Sequence, residues 1–316
     1  MGITSNTGPY IAASGNPLGS AGTLSANQNP DNGPSLFIYG YGMLDPRYPF
    51  TYGGVNGEAK CYGFANGGSG LQLINAVPST ISAVNIAASQ SPAAAALTLV
   101  AASGAGITVG TSIYRADTGA TVTGLLAIDT AMAGVTFGQN ANITIWDPTK
   151  AISRNVRITS GGNDSGITFL VVGYDLYGYP MSEAITGANA GVASGVKAFK
   201  YITSITPSGA AASTVSAGTG DVIGIPVRAD SFGTVTVFYN TAWITANTGF
   251  VAAVTTSPAT TTTGDTRGTY ALQSASDNSK RLVVYATPSV AQLSNATNLP
   301  TGIFGVAQNL ASNNGA

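Results

Sequence analysis

The sequence lacks the residues on which most catalytic chemistry depends. Its 316 residues include no histidine and one cysteine, and only 8% of them are charged. Without histidine there is no Ser-His-Asp or Cys-His catalytic unit, and a zinc site of cysteine and histidine ligands is excluded. The single cysteine, Cys61, excludes a disulfide within one chain. Because no histidine is present to activate it, we expect Cys61 to be a structural bystander.

Charge of either sign is equally scarce, with 12 lysine and arginine residues against 13 aspartate and glutamate residues. This balance gives no basic footprint for nucleic acid or for an acidic membrane surface. No stretch of about 20 apolar residues predicts a membrane-spanning helix, and residues 1–5 show no secretory signal. The sequence therefore predicts no nucleic-acid or membrane partner.

What the chain does contain is short runs of threonine, valine and isoleucine between glycine- and asparagine-rich turns, which are typical of sandwiches and barrels. The pattern predicts an all-β fold, an antiparallel β-sandwich or jelly-roll, with hairpin turns at 161–164 and 175–178. Strands are predicted at 71–74, 81–86, 97–100, 107–114, 121–128, 143–146, 154–159, 167–174, 181–185, 198–205, 222–227, 234–239, 243–244, 250–254, 270–272 and 282–286.

Composition changes along the chain predict four segments. Residues 1–35 are rich in Gly, Pro, Asn and Ser and are expected to form an extended arm. A β-rich segment follows at 36–150, then a β-sandwich module at 151–290 and a C-terminal tail at 291–316. The sequence leaves open whether 36–150 is a separate domain or completes the sandwich.

Aromatic residues are concentrated early in the β-rich segment. Six of them alternate along two predicted strands: Phe37, Tyr39, Tyr41, Tyr48, Phe50 and Tyr52. Alternation places each set on one face of its strand. Such a face packs on its own domain, contacts another subunit or stacks on a sugar, and tyrosine suits an interface because its ring is apolar and its hydroxyl forms hydrogen bonds. We take the six as candidate interface residues.

The densest basic cluster is Lys150, Arg154 and Arg157. The two arginines differ by three positions, so on a strand they point to opposite faces. We expect a solvated edge or one side of intersubunit ion pairs, and we include Arg154 and Arg157 among the candidate interface residues. Interleaved aromatic residues, which single-stranded nucleic acid requires for stacking, do not accompany them.

Carboxylates deserve separate consideration because a glycosidase needs only two of them. Asp164 and Asp175 lie in turn sequences where aspartate commonly bonds the backbone, and Glu183 is expected on the wet face of a strand. No spaced Asp-x-Asp-x-Asp series predicts calcium. We therefore assign no catalytic residue, no metal and no cofactor, and expect a protein that is not an enzyme.

Four segments within residues 154–228 resemble segments of a known protein family. The segments are Arg154-Asn-Val-Arg-Ile-Thr-Ser-Gly-Gly-Asn-Asp-Ser-Gly, Val172-Gly-Tyr-Asp-Leu-Tyr-Gly-Tyr-Pro-Met-Ser-Glu-Ala-Ile-Thr-Gly187, Gly195-Val-Lys-Ala-Phe-Lys-Tyr-Ile-Thr-Ser-Ile-Thr206 and Thr214-Val-Ser-Ala-Gly-Thr-Gly-Asp-Val-Ile-Gly-Ile-Pro226. They resemble a recurrent β-rich module of tailed-bacteriophage virion proteins, particularly capsid decoration (cement) proteins. About a quarter of the chain is covered, and the matching motifs are turns and strands without catalytic residues.

The resemblance implies a virion protein on the capsid surface, made in the host bacterial cytoplasm. It implies that the chain binds the outside of the assembled head, bridges major capsid protein subunits and associates with itself as a dimer or trimer. The alternatives are a tail, connector or receptor-binding virion protein, a carbohydrate-binding β-sandwich that uses the tyrosines, and a hydrolase that uses Asp164 or Asp175.

Overall fold

The computed structural model of the chain describes residues 71–101, 106–115, 118–130, 148–226, 232–244, 248–254, 256 and 259–288. Within these ranges the regular structure is fifteen strands and one 3₁₀ turn, Pro148–Lys150. The strands are β1 Leu71–Ala76, β2 Ala87–Gln90, β3 Ile107–Tyr114, β4 Thr121–Ile128, β5 Arg154–Ser160, β6 Thr168–Tyr174, β7 Pro180–Thr186, β8 Val192–Ser194, β9 Tyr201–Pro207, β10 Val215–Gly224, β11 Phe232–Tyr239, β12 Ala242–Ile244, β13 Phe250–Val251, β14 Thr269–Ala271 and β15 Leu282–Pro288.

The strands form three antiparallel sheets. A six-stranded sheet has the order β8–β5–β10–β14–β13, with β2 also paired to β10. A five-stranded sheet has the order β3–β4–β9–β6–β7, and a four-stranded sheet the order β12–β11–β15–β1. The all-β prediction is confirmed.

The main core lies between the six-stranded and five-stranded sheets. Val156 and Ile158 of β5 pack in one hydrophobic cluster with Phe169 and Val171 of β6, and all four are 0% exposed. Two sheets whose inward-facing residues share one core form a β-sandwich. Leu126 of β4 belongs to the same cluster, so strands from before residue 150 complete the sandwich of the later segment.

The chain divides into two compact units. The first comprises 1–73, 231–236 and 284–300, and the second comprises 74–230, 237–283 and 301–316. The sandwich core belongs to the second unit. The predicted arm, the aromatic strand pair and the tail at 291–316 lie outside the described residues.

The β6–β7 hairpin illustrates a turn that follows from its sequence. Oδ1 of Asp175 accepts hydrogen bonds from the amides of Tyr177 and Tyr179, at 2.8 and 2.9 Å. Gly178 has a φ of +84°, which only glycine adopts without strain. The prediction of a hairpin turn at 175–178 is confirmed.

Four local predictions are wrong. Residues 81–86 and 97–100 form no strand; instead the amide of Leu97 bonds the carbonyl of Ile205. The turn at 161–164 connects two different sheets, because β5 pairs with β8 and β10 rather than with β6. Strand β10 begins at Val215, not at 222. The sequence also does not predict strands β2 and β8.

Candidate interaction surface

Half of the sixteen charged residues in the described ranges are buried inside the chain. They are Arg154, Asp164, Asp175, Glu183, Lys197, Lys200, Asp265 and Arg267. Buried ionic groups are unfavourable unless they are paired or hydrogen-bonded, so their contacts indicate their role.

Arg154 is the centre of a buried network and is 0% exposed. Its guanidinium donates to the carbonyls of Ser79 at 2.6 Å and Gly220 at 2.7 Å, and to the carboxylate of Asp221 at 2.9 Å. Nη1 also lies 3.7 Å from Oδ2 of Asp129. The prediction of Arg154 as a solvated or interface residue is wrong, because its side chain ties loops together within its own fold.

A second buried pair joins Arg267 to Asp175 at 2.7 Å. Nε of Arg267 donates to the carbonyl of Ile225, and its guanidinium lies 5.5 Å from the centre of the Tyr177 ring. Burial raises the pKa of Asp175, while the neighbouring guanidinium opposes that rise. Asp175 therefore organises a turn and a loop and is 1% exposed, which places it out of reach of a substrate in solution.

Glu183 is 5% exposed, so its expected position on a wet strand face is wrong. Its carboxylate accepts hydrogen bonds from the amides of Val196 at 2.6 Å and Lys197 at 3.0 Å. Nζ of Lys197 in turn donates to the carbonyls of Ser182 and Thr260. Burial raises the pKa of Glu183 and lowers that of Lys197.

Lys200 is fully buried and holds three backbone carbonyls. Its Nζ donates to the carbonyl oxygens of Thr130, Lys150 and Ile152 at 2.7, 3.0 and 2.8 Å. Burial lowers the pKa of Lys200 to about 7, although the charge of Asp129 opposes this. The contact fixes the residues before β5 against the loop after β4.

The outer face of the five-stranded sheet shows the opposite character, because eight outward-facing positions carry no charge. We call this surface the charge-free face; its residues are Thr168, Leu170, Val172, Ser182, Ala184, Thr186, Ser204 and Thr206. All eight are exposed or half-buried. Their neighbours along each strand, such as Phe169 and Ile205, point into the core.

Strand register arranges these side chains in rows. Leu170 of β6 lies opposite Ala184 of β7 on one side and Thr206 of β9 on the other. Val172 lies likewise between Ser182 and Ser204. The result is a continuous patch of small and β-branched side chains, with the leucine 38% exposed at its centre.

A threonine-rich loop protects the β7 edge of this sheet. The carbonyl of Thr261 accepts a hydrogen bond from the amide of Ala184 at 2.9 Å, and Thr260 and Thr263 bond each other within the loop. A covered edge resists pairing with strands of other chains. This part of the β7 edge is therefore unavailable for pairing, while the face of the sheet stays open.

Arg157, the other arginine among the candidate interface residues, is not part of the charge-free face. Arg157 is half-buried on β5, opposite Ser194 and Gly218 in register, and points away from the core that contains Val156. The expected opposite orientation of Arg154 and Arg157 is confirmed. Among the described residues Arg157 forms no side-chain hydrogen bond or ion pair. The six aromatic candidates between residues 37 and 52 lie outside the described residues.

Comparisons of the chain with protein-family models, curated proteins and solved structures found no match. In the described ranges no three histidine, cysteine, aspartate or glutamate residues are grouped to hold a metal ion. A helix long and apolar enough to span a membrane is also absent from those ranges. The candidate surface is therefore defined by the chain's own geometry.

Sequence reasoning missed the charge-free face. Alternation along β6 was visible in the run Thr168–Tyr174, but which strands flank it was not. Strand β9 lies next to β6 in the sheet, although β7 and β8 separate the two strands in the sequence. The signal that was available is the absence of charge at alternate positions of three strands.

Proposed function

We propose that the chain is a capsid decoration protein of a tailed bacteriophage, which binds the outer surface of the assembled head and stabilises contacts between major capsid subunits. The observation that carries the proposal is the charge-free face, since charged residues are depleted at the cores of protein interfaces. The resemblance of residues 154–228 to phage decoration proteins supports the same function.

The distribution of charge fits an assembled component. Half of the described charges tie loops together inside the sandwich, which leaves little charge on the surface of the described part of the chain to oppose association. A protein that binds only the expanded shell stabilises that shell by mass action. Many copies bound side by side need only modest affinity each.

In this proposal the buried carboxylates are structural and the protein is not an enzyme. Oδ1 of Asp164 accepts a hydrogen bond from the amide of Ala212 at 2.7 Å, and the residue is 0% exposed. Asp175 is paired with Arg267 at 2.7 Å. A glycosidase needs both carboxylates beside its substrate, and neither of these is accessible.

The direct test is co-sedimentation of the purified chain with heads that lack it. We expect saturable binding to expanded heads and none to unexpanded ones. Cryo-electron microscopy of the intact particle then locates the chain. Density on the tail alone would contradict the proposal and favour a tail or connector protein.

The N-terminal arm is proposed as a second contact. Deleting residues 1–35 should lower head occupancy while leaving the circular dichroism spectrum of the sandwich unchanged. Unchanged occupancy would remove the arm from the interface but would leave the charge-free face to be tested separately. Light scattering of both forms tests the proposed dimer or trimer.

A further inference from the structure

An open cleft of about 540 Å³ lies in the second unit, and none of its lining residues belongs to the charge-free face. Its walls are residues 75–77 at the end of β1, 106–108 at the start of β3, 129–130 after β4, Thr149 of the 3₁₀ turn, and Asn278 and Arg281 before β15. This volume is typical of sites for small ligands or short peptide segments.

Two charged residues line the cleft, and one of them is turned away from it. Oδ1 of Asp129 accepts a hydrogen bond from the amide of Ser79 at 3.0 Å. Its Oδ2 is buried and lies 3.7 Å from the guanidinium of Arg154. The carboxylate of Asp129 is therefore directed into the protein.

The second charged residue, Arg281, is exposed and available. Its Nη1 donates to Oδ1 of Asn75 at 2.7 Å, which orients the guanidinium at the cleft wall. Within the described residues Arg281 has no carboxylate partner. The adjacent Lys280 differs, because its Nζ pairs with Asp277 at 2.8 Å.

Buried side chains behind the cleft hold several of its backbone carbonyls in place. Lys200 bonds the carbonyls of Thr130 and Ile152, which both line the cleft, and Arg154 bonds the carbonyl of Ser79. The hydroxyls of Thr108 and Thr149 and the amide of Asn278 supply neutral hydrogen-bonding groups at the walls.

We propose that this cleft binds a carboxylate group, with Arg281 as its anchor. A planar guanidinium that is held at one end can donate two parallel hydrogen bonds to the two oxygens of a carboxylate. A singly charged group fits better than a phosphate dianion, because Arg281 is the one accessible cation among the residues that line the cleft. The inference does not depend on capsid binding.

The carboxylate belongs either to an acidic residue of a protein segment or to a small organic acid, and two probes distinguish these sources. One is the peptide acetyl-Gly-Glu-Gly-amide and the other is propionate; acetyl-Gly-Gln-Gly-amide and propionamide are their neutral counterparts. Binding is followed by NMR through the Nε–H signal of Arg281. A peptide that binds more tightly than propionate indicates a protein segment, and equal binding indicates a small acid.

Substitutions test the anchor directly. Arg281→Gln should weaken binding of the acidic probe by about tenfold or more, the scale expected for loss of a charge-assisted pair. Arg281→Lys should retain part of the affinity, and the matched control Lys280→Gln should bind as the wild type does. The proposal is overturned if the neutral probes bind equally well, if Arg281→Gln binds normally, or if no probe binds at tens of millimolar.

Discussion

The charge-free face and the interior around Arg154 belong to the same sandwich, but they use side chains in opposite ways. Around Arg154, charged groups are withdrawn from water and satisfied by carbonyls and carboxylates, including Asp221 at 2.9 Å. Across the charge-free face, Leu170 and its neighbours remain exposed or half-buried and carry no charge. Scarce charge thus organises loops, while this face of the five-stranded sheet is left neutral.

The comparison explains how a chain with 8% charged residues keeps its loops in place. Long connections between strands contain backbone carbonyls that need donors when they are buried. One arginine or lysine satisfies several of them, as Lys200 does for three. Because buried side chains supply these hydrogen-bond donors, surface residues do not have to supply them. The surface can therefore stay uncharged and associate with other proteins.

The largest expected effect on stability comes from a substitution in the interior. Arg154→Met should lower the free energy of unfolding by about 3–5 kcal/mol, because removing one partner leaves Asp221 and Asp129 as uncompensated carboxylates. Urea denaturation followed by circular dichroism measures the change. Arg157→Met, on the same strand but outward-facing, should change the free energy by less than about 1 kcal/mol. Similar losses of unfolding free energy in Arg154→Met and Arg157→Met would contradict the difference between the interior and the surface.

An intermediate effect concerns pH. The pKa of Lys200 is about 7 in the folded protein, below its ordinary value of 10.5. Between these values the unfolded chain binds more protons than the folded one, so the free energy of unfolding should increase with pH. The slope contributed by this residue is at most about 1.4 kcal/mol per pH unit.

Urea denaturation between pH 7 and about pH 9 measures this slope, below the range in which the tyrosines titrate. Lys200→Met should remove most of the rise. A smaller slope should remain because the pKa of Lys197 is also lowered by burial. Lys150→Met, at a half-buried position, should keep the wild-type slope. A full slope in Lys200→Met would show that its amine is not the group that titrates.

The smallest expected effect on folding comes from the charge-free face. Leu170→Lys should change the free energy of unfolding by less than about 1 kcal/mol, because the side chain is 38% exposed and the lysine head reaches water. The adjacent inward residue gives the matched contrast, since Phe169→Ala should cost about 3–5 kcal/mol. Denaturation of both variants checks this, and a large loss for Leu170→Lys would mean that the face is structural.

Much of the fold could be predicted because local patterns and packing agree. In β6, Phe169 and Val171 alternate with outward residues, and Asp175 and Gly178 supply the turn that follows. The sequence pattern predicts a start for strand β10 that is too late, and the reason is physical. Its Gly218 and Gly220 have low strand propensity, yet their missing side chains admit the backbone of Ser82 and the side chain of Asn155.

The candidate surface was less predictable, because it depends on tertiary neighbours. Periodicity showed that Arg154 and Arg157 face opposite ways, but it did not show which of them enters the interior. That choice depends on acceptors distant in sequence, such as Ser79 and Gly220. The charge-free face likewise requires the β7–β6–β9 order, which no local pattern specifies.

The central claim is that the charge-free face contacts the capsid, and head binding by single lysine variants tests it most directly. Leu170→Lys and Thr206→Lys should fold as the wild type does and lose co-sedimentation with expanded heads. Ala88→Lys, at an exposed strand position of the other sheet, should bind normally. Wild-type occupancy of Leu170→Lys and Thr206→Lys would contradict the account.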